Sequence, residues 1–326
     1  MIMSNRPLFS LDQLTLASET VYAQMAPTPQ YAWPQLCEAM GTEFWLKHEN
    51  HTATGAFKIR GGITFMEWLR TQHPETQGLI TATRGNHGQS QARAARAAGI
   101  HAKILVPEGN CVEKNAAMRA FGAELVEFGR DFDAAKAEAA RLAQLEGRTM
   151  APPFHEQLIL GVASYALELF SSVNDLDVVY VPVGCGSGIC GVIAARDALG
   201  LKTEVVGVVS SHADAAKQSF ELGRIVETDS ANTFADGMAV RRPVEEAFEI
   251  YSTGASRMVA VNDDQVADAV RLIFSSTHNV AEGAGAAALA AALHDREKLK
   301  GKKVAAILSG GNIDTPLFSR LLRGKQ

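Results

Sequence analysis

The chain has 326 residues, with 31 Lys and Arg against 36 Asp and Glu, a net charge of -5 and a pI near 6.0. Without a clustered basic stripe, this balance excludes a general nucleic-acid binder, whose affinity rests on grouped cations. With 47% hydrophobic residues, the composition is that of an ordinary globular protein whose length suits two lobes sharing a cleft. No apolar run reaches bilayer length, and Met1–Leu16 lacks a basic flank followed by an apolar core, so the chain reads as cytoplasmic with no membrane partner. Cys37, Cys111, Cys185 and Cys190 have neither a paired framework nor zinc-finger spacing and read as reduced thiols.

Along the chain, His48 and His51 frame Glu49 without a metal-ligand pattern that continues elsewhere. Lys58 follows in Thr54-Gly55-Ala56-Phe57-Lys58-Ile59-Arg60-Gly61-Gly62, wedged between apolar neighbours after a glycine turn. Short apolar runs at Leu79–Thr83, Ala102–Val106, Glu124–Glu127, Val178–Val183, Glu204–Val209 and Val304–Leu308 predict strands, several buried on both faces. Between them Gln89–Ala98, Glu113–Phe121, Phe132–Glu146 and Gly191–Leu199 predict helices, with Gly122, Gly147 and Gly200 as stops. Asp263-Asp264 predicts a further helix start before Val266–Phe274. Alternation of this kind gives an α/β fold with mostly parallel sheets, and seams near Gly78 and Pro152-Pro153 make 78–152 a small lobe inserted in a large one built from 1–77 and 153–326.

Four strings carry chemistry, each in a turn or at the carboxyl end of a strand, where sites in such folds lie. A lysine held against apolar groups has its pKa pushed down, towards the neutral amine that attacks a carbonyl. Gly184-Cys185-Gly186-Ser187-Gly188-Ile189-Cys190-Gly191 follows a strand and opens a helix, so its backbone N–H groups suit a phosphate. Gly186, Gly188 and Gly191 also satisfy GxGxxG, but the next strand ends in Ser210-Ser211-His212 without the acid a dinucleotide ribose needs. Thr83-Arg84-Gly85-Asn86-His87-Gly88-Gln89 offers a hydroxyl, N–H groups, an amide and an imidazole to a carboxylate or ring hydroxyl, or else Asn86 and His87 cap a helix starting near Gly88. Ser309, opening Ser309-Gly310-Gly311-Asn312, offers a hydroxyl to a heteroaromatic nitrogen or is a turn residue.

Taken with Thr28-Pro29, Lys47, Glu49, Lys114 through Gly122, Ala235-Asp236-Gly237 and Glu282, these strings make nearly the whole chain resemble the threonine dehydratase and serine racemase family. These are the fold-type II pyridoxal-phosphate enzymes, related in fold to the tryptophan synthase β subunit, with two three-layer α/β/α lobes. The resemblance implies that Lys58 holds pyridoxal 5'-phosphate as a Schiff base and then removes the substrate α-proton. It implies that Gly184, Cys185, Gly186, Ser187 and Gly188 hold the phosphate, Asn86 the ring hydroxyl and Ser309 the pyridine nitrogen, with Phe57 packed on the ring. It assigns Thr83, Arg84, Gly85, Asn86, His87 and Gly237 to an amino-acid substrate. The implied activity is a dehydratase, a deaminating ammonia-lyase that takes a β-hydroxy L-amino acid to a 2-oxo acid and ammonia. Threonine or serine is the default substrate, and 3-hydroxyaspartate and 3-phenylserine stay open. A β-replacement synthase, a racemase and a nicotinamide-dependent oxidoreductase or nucleotide-binding domain are the alternatives. Relatives of this kind are homodimers or homotetramers.

The departures from the family are specific. Ala56 replaces a serine, which removes a hydroxyl from the cofactor pocket. Arg84 replaces the serine or alanine of relatives; in racemases that serine is the second acid-base group, and a guanidinium is too basic to trade a proton there. Arg84 is therefore expected to contact an anion. Synthases usually carry threonine where His87 stands. Val209 and Ser210-Ser211 replace the family's cation-binding turn, so no metal is expected; Gly161-Val162-Ala163-Ser164 replaces a glutamine-containing turn, and Gly283 follows Glu282 where relatives have proline. Few residues follow Asn312, which leaves no room for an appended regulatory domain.

Overall fold

A computed structural model describes residues 7–76 and 78–324; the start of the chain, position 77 at the first seam and the last two residues lie outside the described residues. Ten strands occur among them: β1 (Gln30–Tyr31), β2 (Phe44–His48), β3 (Gly78–Ala82), β4 (His101–Val106), β5 (Glu124–Glu127), β6 (Thr149–Met150), β7 (Val178–Pro182), β8 (Glu204–Ser210), β9 (Arg257–Val261) and β10 (Val304–Leu308). They form a six-stranded sheet ordered β1-β2-β10-β7-β8-β9 and a four-stranded sheet ordered β5-β4-β3-β6. All neighbours are parallel except the edge pair β1 and β2.

Both sheets are covered on both faces, which is why their strands read as near-continuous apolar runs. In the six-stranded sheet Val179, Val181, Val205 and Ile307 face one core, while Val178, Tyr180, Val206 and Ala306 face the other. In the four-stranded sheet Leu79 and Ile104 face one side, and Ile80 and Leu105 the other. The period-2 alternation of side chains along a strand produces this division. The helix Lys58–Gln72, which starts the chemistry-bearing segment, sends Ile59, Ile63, Met66 and Leu69 into the core of the four-stranded sheet.

A buried ion cluster ties that helix down. Arg60 forks onto Glu49 with Nε–Oε2 at 2.7 Å and Nη2–Oε1 at 3.0 Å, and onto Glu168 with Nη1–Oε1 at 2.6 Å and Nη2–Oε2 at 3.0 Å. Lys47 Nζ donates to Glu168 Oε2 at 2.5 Å and to the Thr28 carbonyl at 2.6 Å. Two cations thus meet two carboxylates, and the Thr28 and Ser164 hydroxyls satisfy remaining donors of Arg60 at 3.1 and 2.9 Å. Gly161–Ser164, expected as a turn, lies inside the helix Glu156–Ser172. Gly161 is required there, because a Cβ would stand 2.3 Å from the Arg60 carbonyl. The helix after β9 is capped by Asn262 in a capping box with Gln265, one residue before the expected Asp263.

At the end of β2, Trp33 Nε1 donates to Nε2 of the buried His48 at 2.9 Å. That bond places the ring proton on Nδ1, 3.3 Å from Asn50 Oδ1, and burial followed by the nearby His51 pushes the pKa of His48 down to about 4. Unfolded, His48 binds a proton near pH 6.5; folded, it resists until about pH 4. The penalty therefore opens as pH falls below 6.5 and is complete below 4. His48→Gln should reduce the loss of unfolding free energy over that window by about 3 kcal/mol relative to the unsubstituted protein, read from urea titrations at each pH. Parallel stability curves for the two proteins would refute the assignment.

Candidate active site

The Lys58 loop is bound to the end of β10 before it enters its helix. Phe57 N donates to the Ser309 carbonyl at 3.0 Å, Gly311 N to the Gly55 carbonyl at 2.9 Å, and Ala56 pairs with Gly310. Gly55 has φ 66, and a Cβ there would stand 2.6 Å from Asn312 Oδ1. Ala56 is buried against Gly310.

Lys58 opens onto a small chamber of about 110 Å³ walled by Thr83, Arg84, Gly85, Asn86, His87, Lys114, Cys185, Asp236 and Gly237. Phe132, Pro153, Ala239 and Val240 form its apolar side. Those four, with Arg84 and Cys185, also wall a vestibule of about 590 Å³. Lys58 Nζ lies 4.8 Å over the Phe57 ring and has no hydrogen-bond or ion-pair partner among the described residues. Burial lowers its pKa, against the opposing pull of Cys185 and Glu282.

Two helix N-termini lie near this amine, and neither N-cap residue has a side chain to cap it: Asn86–Ala97, entered through Gly85, and Ser187–Ala198, entered through Gly186 at φ 99. Their first N–H groups have no intrahelical acceptor, so each suits an anion. The capping alternative for Asn86 and His87 is overturned: the helix starts at Asn86, and the Thr83 hydroxyl accepts from Gly85 N at 2.9 Å and Gly88 N at 3.3 Å. Asn86 instead donates through Nδ2 to Glu282 Oε1 at 2.6 Å and accepts on Oδ1 from Asn312 Nδ2 at 2.8 Å. Glu282 is buried, which raises its pKa against the pull of Lys114. Lys114 Nζ stands 2.7 Å from Asp236 Oδ2 and 3.3 Å from Glu282 Oε2. Below this cluster, Thr315 N donates to Glu113 Oε1 at 2.9 Å and Glu113 N to Asp314 Oδ1 at 3.4 Å, so the helices Val112–Ala120 and Thr315–Arg323 cap one another.

His87 is buried and neutral, its pKa pushed down to about 3 by burial and then by Lys58, and its Nε2 has no partner among the described residues. Cys185 is pushed up by burial, against Lys58 and Lys136. Gly184 must be glycine, since a Cβ would meet the Gly237 carbonyl at 2.2 Å.

Of the residues singled out in the sequence, the chamber gathers Lys58, Thr83, Arg84, Gly85, Asn86, His87, Cys185 and Gly237; Phe57, Gly184, Gly186, Ser187, Gly188 and Ser309 are chain neighbours of its lining or, for Ser309, bonded through its carbonyl to Phe57 N. Lys114, Asp236 and Glu282 stood in family motifs without an assigned role. Phe132, Pro153, Ala239 and Val240 gave no signal at all, being ordinary apolar residues in turns or at a helix start.

Residues 21–310 match the family described as "Pyridoxal-phosphate dependent enzyme". The chain belongs to that family. The L-threonine ammonia-lyase of Thermotoga maritima is 36% identical over 88% of this chain and 71% of its own length. The biosynthetic L-threonine dehydratase of Haemophilus influenzae is 33% identical over 90% of this chain, which spans 58% of that relative. The solved processed form of threonine deaminase isoform 2 from Solanum lycopersicum has a TM-score of 0.88 at 29% identity, covering 100% of this chain and 98% of that one. The fold is therefore the fold-type II architecture, and the dinucleotide reading of the glycine loop falls, consistent with the missing ribose acid.

The residues fit the family's cofactor. An unpartnered, desolvated amine would serve as the covalent attachment, an uncapped helix N-terminus beside Gly186 suits the phosphate, and the buried His87 Nε2 is without a partner among the described residues. The Asn86 amide has both atoms engaged, yet Nδ2 keeps a second hydrogen for the ring hydroxyl.

Proposed function

We propose that this pyridoxal-phosphate enzyme is a dehydratase that takes a β-hydroxy L-amino acid to a 2-oxo acid and ammonia. The observation that carries the reading is the unpaired Lys58 amine in one chamber with the helix start at Asn86, where the N–H groups of Asn86 and His87 have no acceptor among the described residues. The bound cofactor supplies an aldehyde for the substrate amine and a sink for the electron pair of the broken Cα–H bond. The chain's residues supply the rest. The peptide N–H groups at Asn86 and His87 bind the α-carboxylate, which fixes the α-hydrogen near Lys58. Lys58, kept towards its neutral form by burial, takes that proton at Nζ. Gly184 to Gly188 hold the phosphate, Asn86 the ring hydroxyl and Ser309 the ring nitrogen, with Phe57 against the ring. Thr83 holds its loop by accepting two N–H groups on its hydroxyl, which keeps its O–H proton to donate to the substrate. Gly237 walls the chamber, and its carbonyl stands where a Cβ on Gly184 would lie.

Racemisation requires a second proton-trading group opposite Lys58, and Arg84 cannot serve. We further propose that the enzyme is a cytoplasmic homo-oligomer, and that 78–152 forms a small domain inserted in a large cofactor-binding one built from 1–77 and 153–326. Among the described residues no helix is long and apolar enough to cross a membrane. Holoenzyme should release ammonia and a 2-oxo acid in equal amounts from at least one of threonine, serine, 3-hydroxyaspartate and 3-phenylserine, with little D-amino acid formed. Accumulation of D-amino acid faster than ammonia would support the racemase instead.

A further inference from the structure

The cations around the mouth are of two kinds. Lys114 is paired with Asp236 and Glu282, and Arg241 reaches Asp133 at 3.2 Å and Glu227 at 3.7 Å. Arg84, Lys136 and Arg242 are exposed and have no hydrogen-bond or ion-pair partner among the described residues; Arg242 walls only the vestibule. Arg84 walls both chamber and vestibule; Lys136 walls the vestibule and lies near enough to Cys185 to favour its thiolate. The facing carboxylates are mostly engaged elsewhere: Asp131 caps its own helix at Ala134 N, Asp133 and Glu227 pair with Arg241, and Glu245 sits in the first turn of the helix Glu245–Gly254.

With the α-carboxylate on the peptide N–H groups of Asn86 and His87, the Arg84 guanidinium, two residues before Asn86, keeps five donors facing water. A guanidinium fork matches a carboxylate in two parallel hydrogen bonds. Phe132, Pro153, Ala239 and Val240 thin the solvent on its inner side, where such a bond is worth more. A methyl group or a hydrogen on the β-carbon gains nothing from this arrangement.

We propose that Arg84, with Lys136 behind it, binds a second carboxylate on the β-carbon, so that the preferred substrate is a β-hydroxy dicarboxylic α-amino acid, of which 3-hydroxyaspartate is the simplest. The assignment rests on the dehydratase reading. The test compares kcat/KM of the holoenzyme for 3-hydroxyaspartate and threonine in the unsubstituted protein, Arg84→Ser, Arg84→Lys and Lys136→Ala. Binding of aspartate and alanine, which lack the β-hydroxyl, is followed alongside by the change in cofactor absorption. The unsubstituted enzyme should prefer 3-hydroxyaspartate, and Arg84→Ser should lower the ratio of the two kcat/KM values by about 10- to 100-fold. Arg84→Lys should retain part of the preference, Lys136→Ala should lower it severalfold, and aspartate affinity should weaken with salt more than alanine affinity does. An unchanged ratio in Arg84→Ser overturns the proposal, as does an equal loss on both substrates, which would put Arg84 on the α-carboxylate. If none of threonine, serine, 3-hydroxyaspartate and 3-phenylserine yields ammonia the dehydratase reading fails, and the aspartate-to-alanine affinity ratio in Arg84→Ser still decides what Arg84 binds.

Discussion

Lys58→Ala should reduce ammonia release by at least about 10³-fold while leaving the fold intact, because the substitution removes both the attachment point and the base. The structural contribution of this side chain is small. Among the described residues its amine meets only the Phe57 ring, and the bond that locks the start of its helix comes from the Lys58 carbonyl, which accepts from Ser90 Oγ at 2.6 Å. Alanine keeps that carbonyl and is a strong helix former. Near-ultraviolet circular dichroism of the variant should therefore overlay that of the parent. In the parent, borohydride should fix the cofactor irreversibly to the peptide containing Lys58, and in the variant no peptide should be labelled. Retention of more than about a tenth of the activity, or labelling of another lysine, would move the chemistry elsewhere. Lys114 is the obvious competitor in the chamber, and its environment argues against it: Glu282 and Asp236 hold its pKa above the usual lysine value, keeping it charged.

Arg60→Ala should cost about 3–5 kcal/mol of unfolding free energy near neutral pH, the loss expected when one partner leaves a buried ion cluster. Arg60 is fully buried, and its removal strands Glu49 and Glu168 with Lys47 as the one remaining cation. The deficit should shrink in acid. Despite its burial, Glu168 has its pKa lowered by Arg60 and Lys47, so in the parent it contributes stability that is present above the ordinary glutamate value near 4.5 and lost as pH falls through the folded value. The variant has less of that contribution to lose, and the two proteins should converge below about pH 4.5 in urea titrations. Arg60→Lys should recover little, since an ammonium cannot fork onto two carboxylates. A pH-independent deficit would mean that packing, and not charge, dominates at this position. Because Arg60 is two residues beyond Lys58 on one helix, turnover should fall in these variants even where they remain folded.

The chemistry lay open in the sequence wherever it depended on neighbours along the chain. Lys58 is recognisable because Phe57 and Ile59 flank it and Gly55 turns the backbone before it. The glycine loop and the Thr83–Gln89 string are recognisable because a strand-to-helix turn needs small residues and leaves N–H groups bare. The six strands expected were found within a residue or so, since burial on both faces forces a continuous apolar run. Four strands were not expected. β1 and β6 have only two residues each, and β2 ends in Lys47 and His48, polar groups tolerated there because Glu168 and Trp33 receive them. The remaining one, β9, is half-exposed and opens with Arg257.

Tertiary structure alone decided what each residue does once in place. Glu282 meets Asn86 across 196 positions and Lys114 across 168, and no periodicity or local motif encodes contacts at such separations. Packing likewise turned the Gly161–Ser164 segment from a turn into helix and made four unremarkable apolar residues the wall of a reaction chamber. The sequence by itself therefore determined the fold class and the cofactor and pointed to the amine proposed to hold it, because these follow from local chemistry and burial patterning. The partners of Arg60, the fixed Asn86 amide and the unpaired Arg84 at the mouth exist only once distant segments are folded together, since an ion pair or a cavity is a property of relative position in space.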